Sequence, residues 1–427
     1  MELQPPRGTG DLLPPQAEAM LGLYEASHRT ARLFGFRYVE TPTFEHTELF
    51  ARTSGETSDI VTKEMYTFED KGGRSLTLRP EQTASIVRAY LANAHDLPTP
   101  FKAYHVSPQF RHGRPQAGRL REFRQFGVEA IGVGASGADV EVIALGDRFL
   151  RGRGLMRLEL RLNSIGDSVC RPAYRERLIA YLQPHETDLD EDCRARLRTN
   201  PMRVFDCKVD GRKPFVLDAP AISDHLCEPC AEHFAGVREG LDAAGVTFSH
   251  DPRLVRGLDY YTRTAFEFLS GALSQAQSTV CGGGRYDGLA EVLGGPPTPG
   301  VGFALGLDRL LVALEEEGVA VPAERGLACF VVAIGEAASQ VAERLVAELR
   351  ASGLPAASAF EDRPLKAQLK MADRTSAAFA AILGEREVAA GIVTLRRLSD
   401  GEQEEVPLGD VVNWLARTDW AAERSNR

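Results

Sequence analysis

Long hydrophobic runs are missing from this sequence. No window approaches ~18 uninterrupted apolar residues, so no membrane-spanning helix is expected. The first residues, MELQPPRGTGDLLPP, lack a basic segment followed by an apolar one. They do not read as a secretion signal, and a cytoplasmic location is the default expectation. Internal repeats and low-complexity stretches are also missing. Cysteine is sparse, with seven in 427 residues. An odd number spread over so long a chain argues against a disulfide framework. Cys207, Cys227 and Cys230, with Cys193, His225 and His233 nearby, raise the question of zinc. One C-x-x-C without a matched second pair does not specify it, so reduced thiols and no metal are expected. An excess of positive charge is lacking too. The net charge is −10, which indicates no global attraction to nucleic acid, although a local basic stripe would suffice to bind it. The phosphate loop G-x-x-x-x-G-K-[ST] is absent, so a nucleotide would need another cradle.

What is present is an ordinary globular composition, 43% hydrophobic and 26% charged, in a length suited to two or three domains. Residues 17–33 carry Met20, Leu21, Tyr24 and Ala31 at helical spacing. FKAYHVSPQFR and REFRQFGVEAIG read as two strands around a Gly/Pro/Arg-rich loop. A polar, helical segment of about 168–245 reads as an insertion. Strand text returns at LVRGLDYYTRTAFEF, and GVGFALGLDRLL reads as a strand entering a helix. Near residue 322 the rhythm changes to short βα alternation. The expected division is therefore a core over 1–325, with the insertion, and a separate α/β domain over 326–427.

Several stretches have the chemistry of a site. A strand over REFRQFGVEAIG puts Phe123, Gln125, Gly127 and Glu129 on one face. An aromatic plate, an amide, bare backbone and a carboxylate suit a small polar ligand; a solvated face has the same alternation. Before it, Arg111, Arg114, Arg119 and Arg121 in a Gly/Pro loop offer planar forks for phosphate oxygens, where the plainer reading is a basic hairpin. Glu81 and Thr83 stand at a strand-to-helix junction, where a carboxylate either receives an ammonium group or serves the helix dipole. Gly282, Gly283 and Gly284 permit a backbone wall against a ligand, or a tight turn. Arg309 lies early in a helix. Arg256, Gly257, Tyr260 and Tyr261 precede a β-prone run, with glycine read as the point where the chain turns. GVGASG, 132–137, fits a dinucleotide fingerprint, but the strand before it is polar on one face, unlike a buried parallel strand.

Taken together, the arginine loop with REFRQFGVE resembles motif 2 of class II aminoacyl-tRNA synthetases, and GVGFALGLDRLL resembles motif 3. RGTGDLLP, TLRPEQTA, LVRGLDYYTRTAFEF and GGGRYDGL resemble the histidyl-tRNA synthetase family, over nearly the whole chain. Gln82 stands where many members carry glycine. The resemblance implies an α+β fold: an antiparallel-sheet catalytic core with an inserted helical subdomain, a C-terminal anticodon-binding α/β domain, and a homodimer. It implies activation of L-histidine by ATP, with Mg²⁺ accompanying the nucleotide and no tightly bound cofactor, then transfer to tRNA(His). By matching position, Glu81, Thr83 and Gln125 would hold the α-amino group, and Glu129 and Tyr261, with Tyr260 beside them, would read the imidazole. Phe123 would stack on adenine. Arg111 and Arg256 would contact the α-phosphate, and Arg119 and Arg309 the γ-phosphate. Arg114 and Gln116 would meet the tRNA acceptor end. A non-enzymatic regulatory paralogue would lack residues 326–420 and the arginines. A synthetase for threonine or proline would lack Glu129 together with R-G-L-D-Y-Y.

Overall fold

The structure, a computed structural model, describes residues 3–54, 60–115, 118–274, 277–321 and 326–420. The chain divides into two compact units, Met1–Pro322 and Ala323–Arg427. In the first, eight strands form one sheet: β1 (Arg37–Tyr38), β5 (Phe101–Phe110), β6 (Glu122–Ile131), β7 (Leu158–Ser164), β8 (Ser249–His250), β9 (Thr262–Ser270), β10 (Thr279–Arg285) and β11 (Gly300–Gly306). Their order is β1-β5-β6-β11-β10-β9-β7-β8. The six inner strands pair antiparallel, and the two-residue strands at the edges pair parallel. β2 (Phe44–His46), β3 (Tyr66–Glu69) and β4 (Ser75–Leu78) form a separate three-stranded sheet.

Alternation on the central strands separates two faces. Phe126, Val128 and Ala130 of β6 enter the main apolar core with Phe266, Phe268, Val301, Phe303 and Leu305. The helices Gln16–Leu33, Ser136–Gly152 and Leu307–Glu316 cover that face. On the first of these the buried stripe is Met20, Leu23, Ala26 and Ala31. Leu21, expected on it, is 55% exposed, because one residue from Met20 turns the side chain about 100° around the axis.

The insertion is smaller than expected. Its own apolar cluster runs from Tyr174 to Ile222. The following helix, Glu228–Ala243, instead sends Phe234, Val237 and Leu241 into the main core. The G-x-G-x-x-G stretch lies between β6 and the helix Ser136–Gly152, but β6 is antiparallel to both neighbours, so no parallel crossover unit exists there. Its carbonyls at Val133 and Ala135 accept from Arg285 at 2.9 and 3.3 Å.

The second unit has a five-stranded sheet, order β13-β12-β14-β15-β16, of Cys329–Ala333 (β12), Ala356–Ser358 (β13), Phe379–Leu383 (β14), Ile392–Arg397 (β15) and Gln403–Pro407 (β16). β12 is buried on both faces. Cys329 and Val331 pack toward the helix Glu336–Ala351, and Phe330 and Val332 toward the helix Leu365–Arg374.

One ion pair holds three elements of the first unit together. Arg285 on β10 is fully buried and lies 2.5 Å from Asp139 of the helix Ser136–Gly152 and 3.0 Å from Asp287. His233 Nε2 lies 3.3 Å from the same Asp139 carboxylate. Removing one partner of a buried pair leaves a desolvated charge, so Asp139→Ala should cost about 3–5 kcal/mol of stability in urea unfolding. An unchanged midpoint would mean that Asp287 and the loop carbonyls suffice for Arg285.

Candidate active site

The sheet face opposite the main core is polar where β5 and β6 run side by side. His105, Ser107 and Gln109 of β5 stand across from Gly127, Gln125 and Phe123 of β6. His105 Nδ1 is 2.9 Å from Ser107 Oγ, and Gln109 Nε2 donates to Gln82 Oε1 at 3.0 Å and to Ser107 Oγ at 3.1 Å. Gln82 donates in turn to Thr41 at 2.6 Å. Burial, followed by repulsion from Arg79, holds the His105 imidazole down at about 3, so it stays neutral. His105 and Gln82 of this network line a cavity of about 400 Å³.

The cavity lining includes acidic and amide groups. Glu81 caps the start of the helix Thr83–Asn93, accepting from Thr83 N at 2.7 Å and Ala84 N at 3.1 Å. Burial raises its pKa against those hydrogen bonds. Thr83, Gln125, Tyr260 and Tyr261 line the same cavity, with the tyrosine ring centroids 4.7 Å apart. Gln125 Oε1 is buried with no hydrogen-bond partner among the described residues. Glu129 lies beneath this wall. It is 1% exposed and accepts from Thr83 Oγ1 at 2.6 Å and from the Tyr286 hydroxyl. Burial dominates those hydrogen bonds and pushes its carboxyl up to about 8.

The cavity also has a cationic lining. Arg111, Arg119, Arg256 and Arg309 line it, with Phe123. The Arg111 guanidinium stands 5.3 Å from the Phe123 ring centroid, and Arg256 stands 5.5 Å from that of Tyr261. Arg111 donates to Pro80 O at 2.8 Å and Arg309 to Thr279 O at 2.7 Å. Arg119 pairs with Glu64 at 2.5 Å, and Arg256 pairs with Glu267. Asp259 bonds Asn200 at 2.9 Å.

Three sequence readings change. Gly127 does not leave backbone bare for a ligand, because the space a Cβ would need holds the His105 ring. Gly257 has no positive φ and nothing within 4 Å of a Cβ position. The irregular backbone lies at Arg263, φ 49°, beside a register shift between β9 and β10, and that is where the strand is re-aimed. Of the three glycines on β10, Gly282 lines the cavity, beneath Arg256. Gly284 lies under the Tyr261 ring, and Gly283 faces Phe266 and Phe303 in the core. Arg114 is exposed and outside the lining, and Gln116 lies outside the described residues. Sequence reasoning missed His105 and Lys208 in the lining, the latter brought there by the insertion, and Tyr286, whose hydroxyl donates to Glu129. The alternation His105, Ser107, Gln109 was a readable signal; Lys208 had none.

A family profile described as histidyl-tRNA synthetase matches residues 8–310, and one described as anticodon binding domain matches 328–418. The chain is 49% identical over 418 residues to a histidine–tRNA ligase of Anoxybacillus flavithermus, covering 97% of this chain and 99% of that one. It is 51% identical over 413 residues to a histidine–tRNA ligase of Moorella thermoacetica, covering 96% and 97%. The crystal structure of apo S. aureus histidyl-tRNA synthetase superposes with a TM-score of 0.82 at 38% identity, covering 97% of this chain and 100% of that one. With matches of this extent across both units, the chain belongs to the histidyl-tRNA synthetase family.

Proposed function

We infer that this chain is a histidine–tRNA ligase, which joins L-histidine to ATP as histidyl-adenylate and passes it to the 3′-terminal adenosine of tRNA(His). One observation carries the reading: a single cavity is lined both by carboxylate, amide and phenol groups and by four arginines. An amino acid suits the first set of groups and a polyphosphate the second.

In the first step a histidine carboxylate oxygen attacks the α-phosphorus, the bond to the bridging oxygen breaks, and pyrophosphate leaves. No protein nucleophile is required, so catalysis is positioning plus stabilisation of charge on phosphoryl oxygens. Arg111 and Arg256 flank the α-phosphate, Arg119 and Arg309 hold the γ-phosphate, and Phe123 stacks on adenine. Mg²⁺ enters with ATP as part of the substrate. Glu81, Thr83 and Gln125 hold the ammonium group, and the unpaired Gln125 Oε1 supports that role. Glu129, with Tyr261 and Tyr260, reads the imidazole. An imidazole brought against a protonated carboxyl exchanges a proton with it and leaves a charge-assisted pair. Residues 326–427 bind the anticodon, Arg114 and Gln116 meet the acceptor end, and the enzyme works as a cytoplasmic homodimer.

Four outcomes are expected. Glu129→Gln should raise the KM for histidine far more than that for ATP; equal losses would make Glu129 structural. In the ligand-free protein, the raised carboxyl holds its proton more tightly folded than unfolded, where its ordinary value is 4.5. The linked stability is complete below that value and is lost as pH rises through about 8. Thermal unfolding should therefore fall with pH more steeply in the wild type than in Glu129→Gln, and parallel curves would reject a protonated Glu129. Arg256→Ala should slow single-turnover adenylate formation by ~10²-fold, about 3 kcal/mol, with substrate binding changed much less, and Arg256→Lys should recover part. A rate within a few-fold of wild type would leave Arg256 as the partner of Glu267. A folded chain ending near residue 322 should form adenylate but charge tRNA poorly, with a weaker salt dependence of tRNA binding. Unchanged charging would remove the second unit from the reaction.

A further inference from the structure

Among the described residues, two side-chain clusters away from the cavity each gather four possible metal ligands with all ligand atoms within 4.8 Å of one another: Asp167, Cys170, Cys227 and Cys230, and Asp190, Cys193, Cys207 and Asp210. In both, the ligands come as two pairs three residues apart. The second C-x-x-C partner that the sequence lacked is therefore a D-x-x-C, Asp167 and Cys170, brought to Cys227 and Cys230 by the fold.

The first cluster has the dimensions of a tetrahedral zinc site. Bonds of about 2.3 Å to sulfur and 2.0 Å to oxygen set sulfur–sulfur separations of about 3.8 Å and sulfur–oxygen separations of about 3.5 Å around one ion. Cys170 Sγ and Cys230 Sγ are 3.9 Å apart, and Asp167 Oδ1 is 3.5 Å from Cys170 Sγ and 3.8 Å from Cys227 Sγ. The backbone is arranged for thiolates. Asp167 N donates to Cys170 Sγ at 3.3 Å. Cys170 immediately precedes the helix Arg171–Leu182, and Cys227 caps the helix Glu228–Ala243 with Cys230 in its first turn, so all three sulfurs sit at positive helix ends. Arg263 reaches Asp167 Oδ2 at 3.6 Å, and Arg171 is held beside the cluster by Ile165 O at 2.8 Å. Two guanidiniums suit the surplus negative charge of three thiolates and a carboxylate around a divalent ion.

We propose that Asp167, Cys170, Cys227 and Cys230 bind a structural Zn²⁺ ion that fastens the start of the inserted segment to its end. Asp167 and Cys170 stand where the chain leaves β7, and Cys227 and Cys230 stand where it re-enters the main core. The ion closes the base of the loop that carries Lys208 to the cavity. It would also sit one residue pair from the cavity wall, since Arg171 donates to Tyr261 O. Zinc binds cysteine as thiolate, so uptake of the ion releases protons. The other cluster offers two thiols. Its Asp210 carboxylate already lies 2.7 Å from Lys213 Nζ and accepts from Asp190 N at 2.8 Å.

The test is metal content of the full-length chain, grown with zinc and purified under reducing conditions without chelator. Cys227→Ser/Cys230→Ser should lose one equivalent of zinc relative to wild type, and Cys193→Ser/Cys207→Ser should keep it. Cobalt(II) added to the metal-free wild type should give thiolate charge-transfer and tetrahedral d–d bands that the first variant lacks. Should the double serine variant misfold, Asp167→Asn, which keeps the side-chain shape, should surrender zinc to a chelator at concentrations at least tenfold lower. A wild-type chain with titratable thiols, no zinc and no cobalt bands would overturn the proposal. So would an equivalent lost only in Cys193→Ser/Cys207→Ser, or a Cys170–Cys230 disulfide in reduced preparations.

Discussion

Four arginine side chains around one cavity repel one another, and the rest of the site is arranged around that cost. Burial followed by the neighbouring cations Arg119 and Arg111 lowers the pKa of Arg309. Carboxylates placed at the cavity's rim offset the repulsion. Glu64 meets Arg119, and Glu267 meets Arg256. Asp308, next to Arg309, is turned instead to Arg124, with 3.0 Å to its guanidinium and a second contact to its backbone N–H at 2.5 Å. Under the proposed function, anion binding here is an exchange of partners, and part of the attraction to phosphate is spent in releasing glutamates.

The polar floor has a geometric counterpart of the same kind. Large polar side chains on one strand lie over glycine on the next: His105 over Gly127, Glu129 over Gly302, and the Tyr286 ring over Gly300. Any Cβ at those glycines would meet the side chain above it. Glycine is tolerated in these strand interiors because the neighbour supplies the packing that the missing side chain would have made. Gly282 repeats the device beneath Arg256, so the glycines of β10 and β11 and the functional side chains form one interlocked surface.

Much of this was legible from local pattern. Alternation on β6 separates Phe126, Val128 and Ala130, which enter the core, from Phe123 and Gln125, which line the cavity. The two-sided apolar run of β12 and the strand-to-helix step before Arg309 were equally plain. Most of what local pattern did not give depends on partners distant in sequence. Gly127 and Gly257 were read from local freedom alone. The first is required by His105 across the sheet, and the second has no such constraint, the irregularity lying at Arg263. The limit of the insertion was missed because the helix Glu228–Ala243 is amphipathic in either environment, and only tertiary packing sends Phe234, Val237 and Leu241 to the main core. β16, QEEVP, escaped notice because an edge strand is free to be charged.

The strand order of the large sheet has a consequence for how the chain is made. β6 is complete at residue 131, yet one of its two neighbours is β11, residues 300–306. During synthesis the edge that will take β11 stays open while the insertion and four further strands of the sheet's far side are still being added. Pairings this remote in sequence close late and slowly, and an unpaired apolar edge held open meanwhile is a site for aggregation. The insertion, with its own small core from Tyr174 to Ile222, can condense in that interval. The second unit, whose strands all follow residue 326, begins to form only when the main sheet already has every strand it needs.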